Sequence, residues 1–381
     1  MKKSINYIDR SNSVISKKNN LEHLHTFKNF PIFMGCTDKN INEDLFADMK
    51  WEIDPLTGLI QLSKLIPMEI LYAEQHMDAT GATWARYNKE LAQFILENKN
   101  GNILEIGGGS GKLAKSILSS DNEIEYTVLE PNPTFKEEGR LKILKSFFTN
   151  EFVLSDSSVK TITLSQVFEH VYDPEFFLND VRKNLPNGGK FIFGYPNLEY
   201  LFSNKFTNAI NFEHTMLMTD YYVEFFLAKS GFKILKKVDF ENHSHFYSVE
   251  KVEKKELQFD LINQYDKYKK MFNEFISFHN SMINEINLKI MNSNSEIFLF
   301  GAHIFSQFLF AFGLNNSKIT SILDNSPLKI GKRLYGSNMI VKSPKILKDL
   351  KNPIVILKAG PYNEEIKKDI LENINSTTKF I

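Results

Sequence analysis

The chain has 381 residues, 42% of them hydrophobic, and Lys plus Arg and Asp plus Glu both number 46. That length exceeds one typical core and predicts two or three domains, while the balanced charge leaves no field to attract nucleic acid or an anionic membrane, so neither is expected as a partner. A single cysteine, Cys36, excludes an internal disulfide and any zinc site built on two thiolates; no long apolar stretch predicts a membrane span or a signal peptide, so the cytoplasm, in a setting such as a bacterial cytosol, is the expected location.

Residues 1–70 are broken by "TDKNINED" and "DPLTG" and read as a small irregular lobe. From about residue 84 the pattern becomes orderly. "WARYNKELAQFILENK" has helical spacing, "NILEIG" is a strand closed by glycine, "KLAKSILSS" is a helix and "EYTVLEPNP" a second strand. "KTITLSQVF", the helix "PEFFLNDVRKNL", the turn "PNGG" and the strand "KFIFGYP" follow, and this alternation predicts a parallel sheet covered on both faces. Residues 251–293 lack internal Gly and Pro and carry charges at helical spacing, which predicts a helical linker. A second, smaller alternating unit runs from "EIFLFGAH" to "NEEIKKDILENI". The expected division is thus 1–70, 71–250, 251–293 and 294–381.

The glycine-rich stretch "NILEIGGGSGKLA", residues 102–114, decides the ligand class. A phosphate-binding loop needs four residues between its glycines and a Ser or Thr after the lysine, but Gly107 and Gly111 enclose three and Leu113 follows Lys112. A dinucleotide fingerprint counted from Gly107 and Gly109 places Lys112 at its third glycine. The pattern that fits is acid-x-Gly-x-Gly-x-Gly, made by Glu105, Gly107, Gly109 and Gly111 at the end of one strand, with Glu130 at the end of the next.

This pattern resembles the donor motif of class I methyltransferases that use S-adenosylmethionine. A donor without phosphate needs no lysine, bare glycines let it lie against backbone, and a carboxylate at the second strand's end can accept both ribose hydroxyls. The resemblance implies that Gln166, in "LSQVFEHVYDP", lines the methionine end, with His170 at the mouth as a substrate contact or a capping histidine.

Nearly the whole chain is similar to the three-part sugar C-methyltransferases, through "DPLTGLIQLSKLIPMEILY", the core above, "NFEHTMLMT" and "FGAH...LDNSPLKIGKRLYG...ILKAGPYNEEI". The resemblance implies a Rossmann-like class I methyltransferase domain, a second Rossmann-like α/β domain at the carboxy terminus, and a nucleotide-linked deoxysugar or keto-sugar as acceptor in glycan biosynthesis. In that family two Cys-x-x-Cys pairs bind a structural zinc. Here the matching positions hold Ser13, Ser16, Asp54 and Thr57, a poor zinc set, so no zinc and no other metal is expected.

The family's Tyr-x-Glu-His centre matches Asn211, Phe212, Glu213 and His214, which implies His214 as general base and Glu213 as its orienter or a substrate contact. Asn211 stands in place of the tyrosine and favours a competing reading, an oxygen- or nitrogen-methyltransferase on a related glycan precursor. Tyr195, Asn197 and His243 fall near the acceptor side by chain order, and His303, after the first strand of the last unit, is a candidate nucleotide contact. A non-catalytic sugar-nucleotide binder is a third reading, opposed by the intact motif residues.

Overall fold

The alternation of apolar runs and amphipathic helices is realised in the computed structural model, which describes residues 5–72, 81–253 and 259–381. Two compact units are formed, one from residues 1–77, 201–212 and 263–381, the other from 78–200 and 213–262.

The first unit's amino-terminal lobe holds a three-stranded antiparallel sheet, β1 (Glu22–Pro31), β2 (Phe46–Ile53) and β3 (Ile60–Leu62), in place of the irregular lobe that the sequence predicts. The β1–β2 register slips between His23 and His25 and again between Phe27 and Phe30, with Asn29 at φ 49°. Each slip changes which face the following side chains occupy, so the period-two signal is erased in a strand that nonetheless forms. Beside this sheet the four positions matching the family's zinc cysteines lie together in a hydrogen-bonded knot. Asp54, fully buried, accepts from Ser13 Oγ at 2.5 Å and Thr57 Oγ1 at 2.8 Å, while the Ser16 amide donates to Ser13 Oγ at 3.1 Å.

The second unit runs α1 (Ala82–Asn98), β4 (Asn102–Ile106), α2 (Lys112–Ser120), β5 (Tyr126–Leu129), β6 (Leu141–Leu144), β7 (Val159–Ser165), α3 (Pro174–Asn184), β8 (Lys190–Pro196), α4 (Asp220–Lys229), β9 (Phe232–Phe240) and β10 (Ser244–Lys251). Its sheet has the order β9-β10-β8-β7-β4-β5-β6, parallel from β8 to β6, with β10 antiparallel to both of its neighbours. The chain leaves β4 toward β5 and β6, then returns to the opposite side of β4 to lay down β7. That reversal opens a crevice beyond the carboxyl ends of β4 and β7, where open α/β sheets bind their ligands. Leu91 and Ile95 of α1, Ala114 and Ile117 of α2, and Ile103, Val128 and Ile192 of the strands fill one apolar core that fixes this end of the sheet.

The first unit resumes with α5 (Tyr265–Met291), β11 (Ile297–Phe300), α6 (Ile304–Ala311), β12 (Ile319–Leu323), β13 (Val341–Lys342), β14 (Ile354–Leu357), α7 (Asn363–Asp369) and β15 (Lys379–Phe380). Five parallel strands take the order β13-β12-β11-β14-β15. Helix α5 buries Tyr268, Phe272, Phe275, His279, Ile283, Ile286 and Ile290, one stripe at helical spacing, and the last three enter the core under this sheet. Asp44 ties the amino-terminal lobe to the carboxy-terminal strands through two hydrogen bonds from Arg333, at 2.6 and 2.7 Å, with the Asp44 side chain wholly buried. Phe27 and Phe30 of β1 pack edge-on or tilted against Phe308 of α6. Among the described residues no helix is long and apolar enough to cross a membrane.

Candidate functional site

The glycine loop sits at the crevice between β4 and α2. Gly107, Gly109 and Gly111 all have positive φ (75°, 50° and 70°), a backbone path that side chains resist. A Cβ on Gly108 would stand 2.4 Å from Val128 Cγ1, so the loop lies flat on β5, whereas a Cβ on Gly109 would meet nothing within 4 Å. The open face of the loop is therefore at Gly109. Glu130, just past β5, accepts the Gly109 amide at 3.0 Å through Oε2 and the Asn132 amide at 2.9 Å through Oε1. Two carboxylate oxygens offer about four acceptor sites, so two remain for a ligand's hydroxyls.

Glu105 is placed differently from Glu130. It lies under the loop, 2% exposed, and accepts the Tyr126 hydroxyl at 3.0 Å. Burial pushes its carboxyl up to about 7, against the Tyr126 hydrogen bond and with help from the Glu130 charge.

Gln166 follows β7 in the left-handed conformation, φ 54°, a strained position for a residue with a side chain. Its amide donates to the Tyr87 hydroxyl at 3.0 Å and Ser244 Oγ at 3.1 Å. Ser244 Oγ also pairs with His243 Nδ1 at 2.7 Å, and the Trp84 ring meets His243 edge-on at 5.0 Å. Burial holds His243 below its ordinary range, partly opposed by Glu241, so its imidazole is neutral near pH 7.

The same loop packs on the glycine turn, since a Cβ on Gly107 would come within 2.8 Å of Val167 Cγ2. Three residues later it delivers Glu169 and His170. His170 turns Nδ1 to Glu213 Oε2 at 3.2 Å and Nε2 toward Glu169 Oε1 at 3.8 Å, and the His214 ring lies 5.1 Å from that of His170. Both carboxylates are buried, Glu169 at 2% and Glu213 at 3% exposure. Burial opposes charge on His170, but the Glu213 hydrogen bond and the two carboxylates outweigh it and raise the imidazole. Burial likewise pushes Glu169 up to about 7, with the His170 charge opposing and Glu213 adding.

The second unit thus gathers Glu105, the three glycines, Glu130, Gln166, His170, Glu213, His214 and His243, together with Tyr195 and Asn197. Tyr195 is fully buried and donates its hydroxyl to the Met218 carbonyl at 2.5 Å, and Asn197 Oδ1 accepts the Tyr200 amide at 3.0 Å, so both are engaged in local structure. Asn211, buried, and His303, at the start of α6, belong to the first unit. Sequence reasoning passed over Glu169, Tyr87 and Trp84. A signal for Glu169 was present: the tripeptide Phe-Glu-His occurs twice, at 168–170 and 212–214, and the fold joins the two Glu-His pairs.

Residues 78–253 match the family model described as a methyltransferase domain. The chain is a methyltransferase. Residues 232–381 match a second model, the C-methyltransferase C-terminal domain. The sheet, parallel but for one strand, with its glycine loop at the point of reversal, is the class I S-adenosylmethionine-dependent methyltransferase fold, followed by a second α/β unit with a parallel sheet. Solved structures similar to this methyltransferase include a putative S-adenosylmethionine-dependent methyltransferase from Listeria monocytogenes (12% identity, 44% of this chain and 100% of that one, TM-score 0.36). Others are a counterpart from Aquifex aeolicus (16%, 44% and 93%, 0.36) and human N-acetylserotonin methyltransferase in complex with S-adenosylmethionine (16%, 44% and 52%, 0.38). No curated protein matches the sequence significantly.

Proposed function

We propose that this methyltransferase transfers the methyl group of S-adenosylmethionine to a carbon of a nucleotide-activated keto-sugar, with His214 as general base. The observation that carries the reading is the joining of the two Glu-His pairs on a loop that packs against the glycine turn. The carboxy-terminal C-methyltransferase domain supports carbon as the acceptor atom, and the resemblance to sugar C-methyltransferases supports the acceptor class.

The residues present fit the donor: the face of Gly109 is open, and Glu130 keeps acceptor capacity beyond the two amides it holds. When bound, S-adenosylmethionine supplies an electrophilic methyl on a sulfonium. A sugar carbon becomes nucleophilic only after losing a proton beside its carbonyl, so the protein must place a base there and hold the resulting enolate. His214 is the base in this reading. Glu213 fixes His170 through Nδ1, which leaves the Nε2 side of that ring to steady the oxygen that gains charge.

The test is incubation with S-adenosylmethionine and a panel of nucleotide-linked keto-sugars, with products read by mass spectrometry and NMR. A methyl bonded to carbon is expected. A methyl on oxygen or nitrogen, the outcome Asn211 favours, would refute the carbon assignment, and no product from any member would refute the sugar.

A further inference from the structure

We infer that Glu169, His170 and His214 form a binding site for one late first-row divalent cation, such as Zn²⁺ or Co²⁺, with Glu213 as the group that orients His170 toward it. One ligand atom from each of the three residues lies within 4.8 Å of the others, and among the described residues this is the one such group of His, Cys, Asp or Glu. In a tetrahedral site with bonds of about 2.0–2.1 Å the ligand atoms stand about 3.3 Å apart. Two further observations point to a cation and not to a self-contained polar cluster. Glu169 Oε2 is buried without a hydrogen-bond partner in a residue only 2% exposed, a position that costs free energy unless something else satisfies it. His170 has Glu213 at Nδ1 and Glu169 toward Nε2, the arrangement in which a carboxylate fixes the ring and leaves the opposite nitrogen to ligate.

The donor set selects the ion. Two imidazoles and one carboxylate suit iron(II), cobalt, nickel or zinc, whereas magnesium and calcium take oxygen. Three protein ligands leave a fourth position for water or an acceptor oxygen. Resting on the proposed function, one consequence follows: the ion takes the lone pair with which His214 would accept a proton, so ion and proton compete and the loaded enzyme is switched off.

The test is titration of the metal-free full chain with Co²⁺, following the visible d–d absorption, with S-adenosylhomocysteine calorimetry as a check that each variant is folded. One equivalent of cobalt should bind with the absorption of a four- or five-coordinate ion. E169Q and H214A should each weaken binding by more than about 100-fold, and E213Q by about 10- to 100-fold, as for loss of an orienting carboxylate. No d–d absorption in the wild type, or unchanged cobalt affinity in a donor-binding E169Q or H214A variant, would overturn the site. Because this readout needs no turnover, its failure is distinct from failure of His214 as base, which is read from metal-free H214A. Cobalt-loaded enzyme that methylates at the metal-free rate would overturn the competition.

Discussion

Replacing Glu105 by Gln should stabilise the folded protein above neutral pH and leave it unchanged in acid. Glu105 is buried at 2% exposure and its carboxyl is pushed up to about 7 from an ordinary 4.5, chiefly by burial. Below 4.5 the folded and unfolded chains both hold the proton, and the residue exerts no pH-dependent effect. As pH rises from 4.5 toward 7 the unfolded chain gives up the proton while the folded chain keeps it, so stability falls; above about 7 the loss is complete. At about 1.4 kcal/mol for each pH step, that interval amounts to about 3 kcal/mol. Gln cannot ionise, has nearly the same volume, and can still accept the Tyr126 hydroxyl through its amide oxygen. Urea unfolding of both proteins across this range should show a gap near zero in acid that widens to about 3 kcal/mol by about pH 8, with E105Q the more stable. Titrating groups not coupled to Glu105, Glu169 included, are common to both chains and cancel in the difference. A gap that does not change with pH would refute the argument, because it would mean that the carboxyl ionises alike in both states.

Four further outcomes are expected. E130A removes the anchor of the Gly109 and Asn132 amides and the acceptors proposed for the ribose, so the dissociation constant for S-adenosylhomocysteine should rise by about 10- to 100-fold in calorimetry. H214A in the metal-free enzyme should lower turnover by about 100- to 10,000-fold with donor affinity intact; activity near that of the wild type would remove the residue from proton transfer. D54A deletes the acceptor for Ser13, Thr57 and the Leu56 amide and should cost about 3 kcal/mol in chemical unfolding, with D54N milder because it keeps an acceptor. G108A and G109A should separate packing from ligand space. The first drives a methyl to 2.4 Å from Val128 and should destabilise the apoprotein by about 1–3 kcal/mol, while the second adds only the left-handed strain of about 1 kcal/mol and should be read mainly in weakened donor binding.

The parts of the fold legible in the sequence are those whose signal is local. "KFIFGYP" is β8 residue for residue, because a strand in the middle of a sheet covered on both faces must be apolar on both sides and ends where the chain turns. The glycine loop was equally legible, since acid, glycines and second acid lie within one strand-loop-helix-strand passage. Helix α5 was legible as a helix, but its period could not say where its apolar stripe would be buried; the stripe from Tyr268 to Ile290 belongs to the first unit's own packing. The sheet of the amino-terminal lobe was hidden because its bulges scramble the alternation by which a strand is recognised. The joining of Glu169 with His170, Glu213 and His214 depends on segments more than forty residues apart, and only the return of the chain past β8 brings them together.

Two buried glutamates, Glu105 and Glu169, both have carboxyls pushed to about 7, so a displaced ionisation by itself does not mark the active centre. Their neighbours separate them. Glu105 has a tyrosine hydroxyl satisfying one carboxyl oxygen and a glycine backbone pressed over it, so burial keeps it a neutral structural group without leaving that oxygen unpaired. Glu169 has an oxygen left without a partner and an imidazole facing it, in a loop that also touches the donor turn. Burying a carboxyl without satisfying it is selected against wherever packing alone matters, since an apolar residue of similar size would serve better. Its presence beside His170 therefore argues for a charge, a proton or an ion that arrives there during the work of the enzyme, and the cobalt titration and the H214A turnover measurement distinguish which.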